Sequence, residues 1–226
     1  MISRFISRTS TLFITLFALS ISNSYAYDAQ LAESSKCSRY FSMYEDLFHM
    51  PSNLLRAVSV TESGRYVKSA GRPLSWPWTI NAAGKGYYFA NKREAIRAVN
   101  DFRAKGVKSI DVGCMQINLM YHPEAFRNLE QAFEPKYNIG YAAKFLRDKY
   151  TQARNWRDAV GLYHNGNPEI NKDYIKIVYN NWRIEDKSVQ VAFLDKPSIS
   201  ISNAPRTSSD ADVSEITKNV LSTFAR

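Results

Sequence analysis

The chain has 226 residues, 45% of them hydrophobic, and a formal net charge of +9. That is enough apolar content for one well-buried core, and it excludes a chain dominated by disorder. A strongly basic balance suits an anionic partner, whether nucleic acid, membrane headgroups or a cell wall carrying peptide carboxylates.

Arg4 and Arg8 precede an apolar run from Leu12 to Ile21, which ends at Ser24-Tyr25-Ala26. A positive start, a short apolar stretch and a small-x-small end predict a cleavable signal peptide over residues 1–26. The run is short of the roughly 20 apolar residues of a membrane span, so no stable membrane insertion is expected. No cysteine follows Ala26 closely, which argues against a lipoprotein anchor. Export in turn excludes nucleic acid as the anionic partner, and no Lys/Arg run interleaved with aromatics is present to track a phosphate backbone.

From Cys37 onward helical patterns dominate. Cys37 to His49 carries Tyr40, Phe41, Tyr44, Leu47 and Phe48 as a helical stripe, broken at Met50-Pro51. Ser52 is placed as the N-cap of a helix over Asn53 to Ser63, stopped by Gly64. Trp76 to Phe89 is aromatic and β-branched around Asn81-Ala-Ala-Gly84 and predicts a hairpin. Helices follow at Asn91 to Lys105, with a capping-box-like start, and at Glu124 to Phe133, a short one entered through Tyr121-His122-Pro123. Lys136 to Gln152 is the next, after Pro135. Asn155 caps Trp156 to Tyr163, and Lys172 to Trp182 closes the core with Tyr174, Ile175 and Val178 as its apolar stripe. Beyond Arg183 the composition shifts, and Lys196 to Asp212 is rich in Ser, Pro, Asn and Asp. The domain reading is a signal peptide at 1–26, a core domain at 27–183 and a polar tail at 184–226. A mostly helical domain with one small β element belongs to the α+β class.

Cys37 and Cys114 are the only cysteines. In an exported chain they are expected to form one disulfide, the alternative being two buried thiols. The loop so closed is long, and the chain-entropy model gives it roughly 4–5 kcal/mol. His49, His122 and His164 are scattered and no HExxH pattern occurs, so no metal and no cofactor is expected.

Four segments carry the chemistry: Ala57-Val-Ser-Val-Thr-Glu62-Ser63-Gly64, Asp111-Val-Gly113-Cys-Met115-Gln116-Ile-Asn118, Tyr137-Asn138-Ile-Gly-Tyr-Ala-Ala and Ala159-Val-Gly-Leu-Tyr163-His-Asn165-Gly166. Together and in this order they resemble the soluble lytic transglycosylases of the lysozyme-like superfamily. The insert holding Trp76-Pro-Trp78 looks like the small secreted branch associated with secretion and conjugation machines. The resemblance implies a lysozyme-like fold and cleavage of the MurNAc–GlcNAc bond of peptidoglycan by Glu62, first as acid and then as base, giving a 1,6-anhydro end. Its position in the last turn of an apolar helix, at the negative end of the macrodipole, favours the protonated carboxyl that such an acid needs.

Ordinary glycosidases use two carboxylates. Asp111 is the nearest second acid, but an Asp before a Gly turn is more often structural. By resemblance the substrate's own N-acetyl group takes over the partner's role. Gln116 is then expected to bond the sugar, Tyr163 to orient Glu62 and the N-acetyl group, and Met115 to pack beneath the cleft, with plain core as its alternative. Ser63 and Asn165 complete the expected substrate-contacting set. The family's Tyr-Asn-Ala-Gly is altered to Tyr163-His164-Asn165-Gly166, so either His164 or Asn165 stands in for the Asn. Trp76, Trp78, Tyr87, Tyr88 and Phe89 are either one wall of a glycan groove or a satellite core. The expected partners are peptidoglycan glycan strands, with a cell-envelope machine as a candidate, and the expected state is a periplasmic or secreted monomer. A goose-type lysozyme that adds water, or a non-catalytic wall-binding component of such a machine, is the alternative.

Overall fold

The computed structural model describes residues 29–167 and 169–194. The expected signal peptide and the Ser/Pro/Asn-rich segment from Lys196 lie outside them. The N-terminal stripe folds as two helices, α1 (29–38) and α2 (Phe41–Leu47), because the chain turns at Arg39 and Tyr40. The helix that carries Glu62 is α3 (Leu54–Ser63). Ser52 does not cap it. Asn53 occupies the N-cap in a left-handed conformation with no side-chain cap, and the buried Glu45 carboxylate of α2 accepts instead from the N–H groups of Asn53 (2.9 Å) and Leu55 (2.8 Å). A carboxylate from another helix thus satisfies the positive end of α3.

After α3 the chain forms a two-stranded hairpin, β1 (Gly64–Val67) and β2 (Arg72–Ser75). Next come β3 (Thr79–Ala82) and β4 (Lys85–Tyr88), the predicted hairpin. Ala83 and Gly84 at its turn both have positive φ (52° and 74°), the backbone that two-residue hairpin turns require. α4 (Lys92–Ala104) begins where expected, with the Asn91 side chain accepting from the Glu94 N–H at 3.0 Å. Two short strands not anticipated, β5 (Ile110–Val112) and β6 (Ile117–Asn118), extend the hairpin into a four-stranded antiparallel sheet of order β4-β3-β5-β6. Runs of three and two residues are too short to show an alternating pattern in sequence.

The sheet obeys the period-two rule. Ile80, Ala82, Ile110 and Val112 are buried with Ala95 and Val99 of α4, forming one core cluster. Asn81 and Asn118 are each the cross-strand partner of Asp111, and all three lie on the opposite face. Trp76 and Trp78 belong to the same core, only 2% and 5% exposed. Their indole N–H groups donate to Phe89 O (2.8 Å) and Glu33 Oε2 (2.6 Å). For these two the satellite-core reading holds.

The rest is helical: α5 (Leu129–Ala132), α6 (Pro135–Ala153), α7 (Trp156–His164) and α8 (Asn171–Leu194). Of these, α6, α7 and α8 pack with α1, α2 and α3 around a second core that includes Leu54, Leu55, Val58, Ile139, Leu146, Val160 and Val178, whereas α5 places Ala132 in the sheet cluster. α8 runs well past Trp182. Glu185 explains why the segment beyond Arg183 stays with the domain: it is buried and pairs with Arg72 of β2 and Arg56 of α3. The whole is a predominantly helical α+β, lysozyme-like fold. Among the described residues no helix is long and apolar enough to cross a membrane.

Candidate active site

The turn of residues 113–116 is the point at which the helices meet. Cys114 is joined to Cys37 at the end of α1, their Cα atoms 6.1 Å apart. The Cys114 carbonyl accepts from two serines of α3, Ser59 Oγ (2.8 Å) and Ser63 Oγ (2.7 Å). From α6, the buried Asn138 accepts from Met115 N (2.9 Å) and donates to Val112 O (2.9 Å) and Ala132 O (3.0 Å). From α7, the Tyr163 hydroxyl donates to Met115 O at 2.8 Å. Four helices therefore fix one turn. Gly113 is required at its start, with φ +82° and a Cβ that would fall 2.5 Å from Asn138 Nδ2. The close approach that selects glycine is to Asn138, not to the cleft.

Above this turn lies a cleft of about 300 Å³, lined by Glu62, Asp111, Gln116, Tyr163 and His164 among others. Glu62 reaches it from the last turn of α3 and stays partly accessible there. Burial drives its pKa from the ordinary 4.5 up to about 7; a hydrogen bond from Tyr174 pulls it down, and the Asp111 charge pushes it up. Tyr174, on α8, donates that bond to Glu62 Oε1 at 2.6 Å. Sequence reading placed Tyr174 only in the apolar stripe of the last helix. The available signal was its hydroxyl, since a tyrosine on a core face must find a partner for its O–H. Tyr163, expected to orient Glu62, spends its hydroxyl on Met115 O, although its ring lines the cleft.

Gln116 sits at positive φ (47°) and uses Nε2 to donate to Gly113 O (2.9 Å) and Thr79 O (3.1 Å). With both amide protons so held, its Oε1 is the atom left to receive a donor from a ligand. Asp111 lies on the cleft wall, where burial raises its pKa while Asn118 Nδ2 (2.7 Å) and the His164 charge lower it. His164 stacks flat on Tyr174, centroids 4.2 Å apart and planes 7° off parallel, and burial lowers its pKa.

The match of a family model decides the relationship: the transglycosylase SLT domain spans residues 39–184. The chain belongs to this family. Neither the comparison with curated proteins nor that with solved structures gave a match.

Within this SLT domain the expected site residues divide. Glu62, Gln116 and Tyr163 share the cleft. Met115 is fully buried beneath it, and Ser63 is fully buried with its hydroxyl on Cys114 O and Ser59 O, so neither side chain opens into it. Asn165 caps α7 outside the cleft lining, its Oδ1 accepting from Asn167 N at 2.8 Å. His164 is the member of that pair on the cleft. Asn81, Asn118 and Tyr121 also line it, brought there by strand register and by the loop after β6. Asn118 Oδ1 accepts from the N–H groups of Met120 (3.0 Å) and Tyr121 (3.1 Å), presenting the Tyr121 ring at 71% exposure.

Proposed function

We propose that this SLT-domain protein is a peptidoglycan lytic transglycosylase that cleaves the MurNAc–GlcNAc β-1,4 bond without adding water. The observation that carries the reading is the Glu62 carboxyl, half-buried at the end of α3 with its pKa raised to about 7, on a cleft shared with Gln116 and Asp111. At neutral pH such a group is present in both protonation states, which suits one residue acting as acid and then as base. Protonated Glu62 gives its proton to the glycosidic oxygen as the C–O bond breaks, while the substrate's N-acetyl oxygen bonds to C1. Glu62, now a carboxylate, takes the proton of the C6 hydroxyl as that oxygen displaces the N-acetyl group, closing the 1,6-anhydro ring. Tyr174 orients the carboxylate throughout, and Gln116 Oε1 accepts a hydrogen bond from the sugar.

Asp111 supports a second reading. A further carboxylate on the same cleft is what a hydrolytic, lysozyme-like route uses to activate water. Mass analysis of products from purified sacculi separates the two, because reducing ends are one water heavier than anhydro ends. Glu62→Gln is expected to abolish either product while retaining the fold, and full activity in that variant would remove Glu62 from the mechanism. The basic chain, its N-terminal leader pattern and the Cys37–Cys114 disulfide support export to the cell envelope and glycan strands as the partner. A secretion or conjugation machine remains the candidate assembly, tested by co-purification from envelope fractions.

A further inference from the structure

Asn81 is the β3 residue on the cleft, and the sheet continues beyond it to the edge strand β4. In the register of β3 with β4, Asn81 pairs with Gly86 and Thr79 pairs with Tyr88, so Gly86 and Tyr88 share the sheet face that carries Asn81, Asp111 and Asn118. The intervening Tyr87 points the other way, its ring 5.2 Å from Phe102 of α4. At Gly86 the face is open: a Cβ placed there would meet nothing within 4 Å. Tyr88 is 46% exposed, unlike the buried tryptophans before it, yet it is not loose. Its hydroxyl donates at 2.9 Å to the carbonyl of Gly64, two residues beyond Glu62. A rigid aromatic face therefore stands on the edge strand, tethered to the end of the helix that bears the acid.

We propose that the glycan groove continues across β3 onto β4, where Gly86 leaves room for an additional sugar ring and Tyr88 supplies the face on which it stacks. This rests on the peptidoglycan reading above. A tyrosine immobilised by its own hydroxyl loses little freedom on binding, and the apolar face of a pyranose covers an exposed ring well. The groove so extended runs over all four strands, and its outer part is made by the insert between α3 and β5.

The test uses the full chain carrying Glu62→Gln as a binding reagent, with purified peptidoglycan glycan strands fractionated by length and the single disaccharide unit as probes. Tyr88→Ala is expected to raise Kd for long strands by about fivefold and to leave that for the disaccharide unchanged. Gly86→Leu should do the same by filling the space, and Tyr88→Phe should retain most of the parent's affinity because the ring remains, losing only what the Gly64 tether contributes. Length dependence unchanged from the parent in both Tyr88→Ala and Gly86→Leu would overturn the proposal. Tyr88→Phe binding as weakly as Tyr88→Ala would also overturn it, by assigning the effect to the Gly64 bond instead of the ring. A parent that binds no glycan of any length would instead overturn the peptidoglycan reading itself.

Discussion

The Tyr174 hydroxyl donates to Glu62 Oε1 at 2.6 Å across 112 positions of sequence, joining the last helix of the domain to the acid at the end of α3. This bond opposes burial, which otherwise drives the Glu62 pKa upward. Tyr174→Phe is therefore expected to move the Glu62 pKa above its present value of about 7. In a pH–rate profile of sacculus digestion, the alkaline limb should shift to higher pH. A limb that stays in place would show that the bond does not act on Glu62 in the working enzyme.

Glu62 also sets a pH dependence of stability. Its carboxyl has a pKa of about 7 in the folded protein against an ordinary 4.5. Between those values the folded state holds a proton that the unfolded chain has released, so stability falls as pH rises through this window and stays reduced above it. The size of the effect is about 1–3 kcal/mol, allowing for the group's opening to the cleft. Glu62→Gln removes the penalty while its amide oxygen still accepts from Tyr174. Thermal midpoints should show the variant gaining little at pH 5 and clearly more at pH 8.

Asn138 and Gly113 are coupled through contact. Asn138→Ala removes three hydrogen bonds and leaves Val112 O, Ala132 O and Met115 N unsatisfied, a cost of about 3 kcal/mol. Gly113→Ala forces a left-handed backbone on alanine and drives its Cβ against Asn138. The double variant should be more stable than the sum of the single losses predicts, since the collision is gone. Denaturant unfolding of the four proteins measures the coupling, and strict additivity would rule out the contact as its source.

The Cys37–Cys114 disulfide closes a 77-residue separation and ends in the turn beneath the cleft. Cys37→Ala with Cys114→Ala is expected to cost roughly 4–5 kcal/mol in the chain-entropy picture. Activity should fall at a lower temperature than in the parent, in step with the thermal midpoint. Unchanged midpoints with and without reductant would show that the serines, Asn138 and Tyr163 hold the turn unaided.

The helices α4, α6 and α7 were legible in the chain because caps and apolar stripes are local: the Asn91 and Asn155 side chains bond backbone three residues away. The helix expected over Glu124 to Phe133 shrinks to Leu129–Ala132, and the last one runs on past Trp182 to Leu194. The β3–β4 hairpin was legible too, from β-branched and aromatic residues around a glycine turn. The motif order sufficed for the family, since the segments holding Glu62, Gln116, Asn138 and Tyr163 follow one another in the expected order. What tertiary structure decided is how the polar groups are spent. Ser63 and Met115 look like cleft residues beside Glu62 and Gln116, yet Ser63 Oγ is held by Cys114 O and Met115 is sealed beneath the turn. Ser52 looks like the cap of α3, yet Glu45 from a neighbouring helix takes that role. Tyr174 reads as core, and Asp111, Asn118 and Asn81 form one face only once three strands pair in register. Local patterns encode which elements form, because capping and periodicity act within a few residues. Which side chains share a site is fixed by contacts tens to over a hundred positions apart, and sequence spacing carries no trace of those.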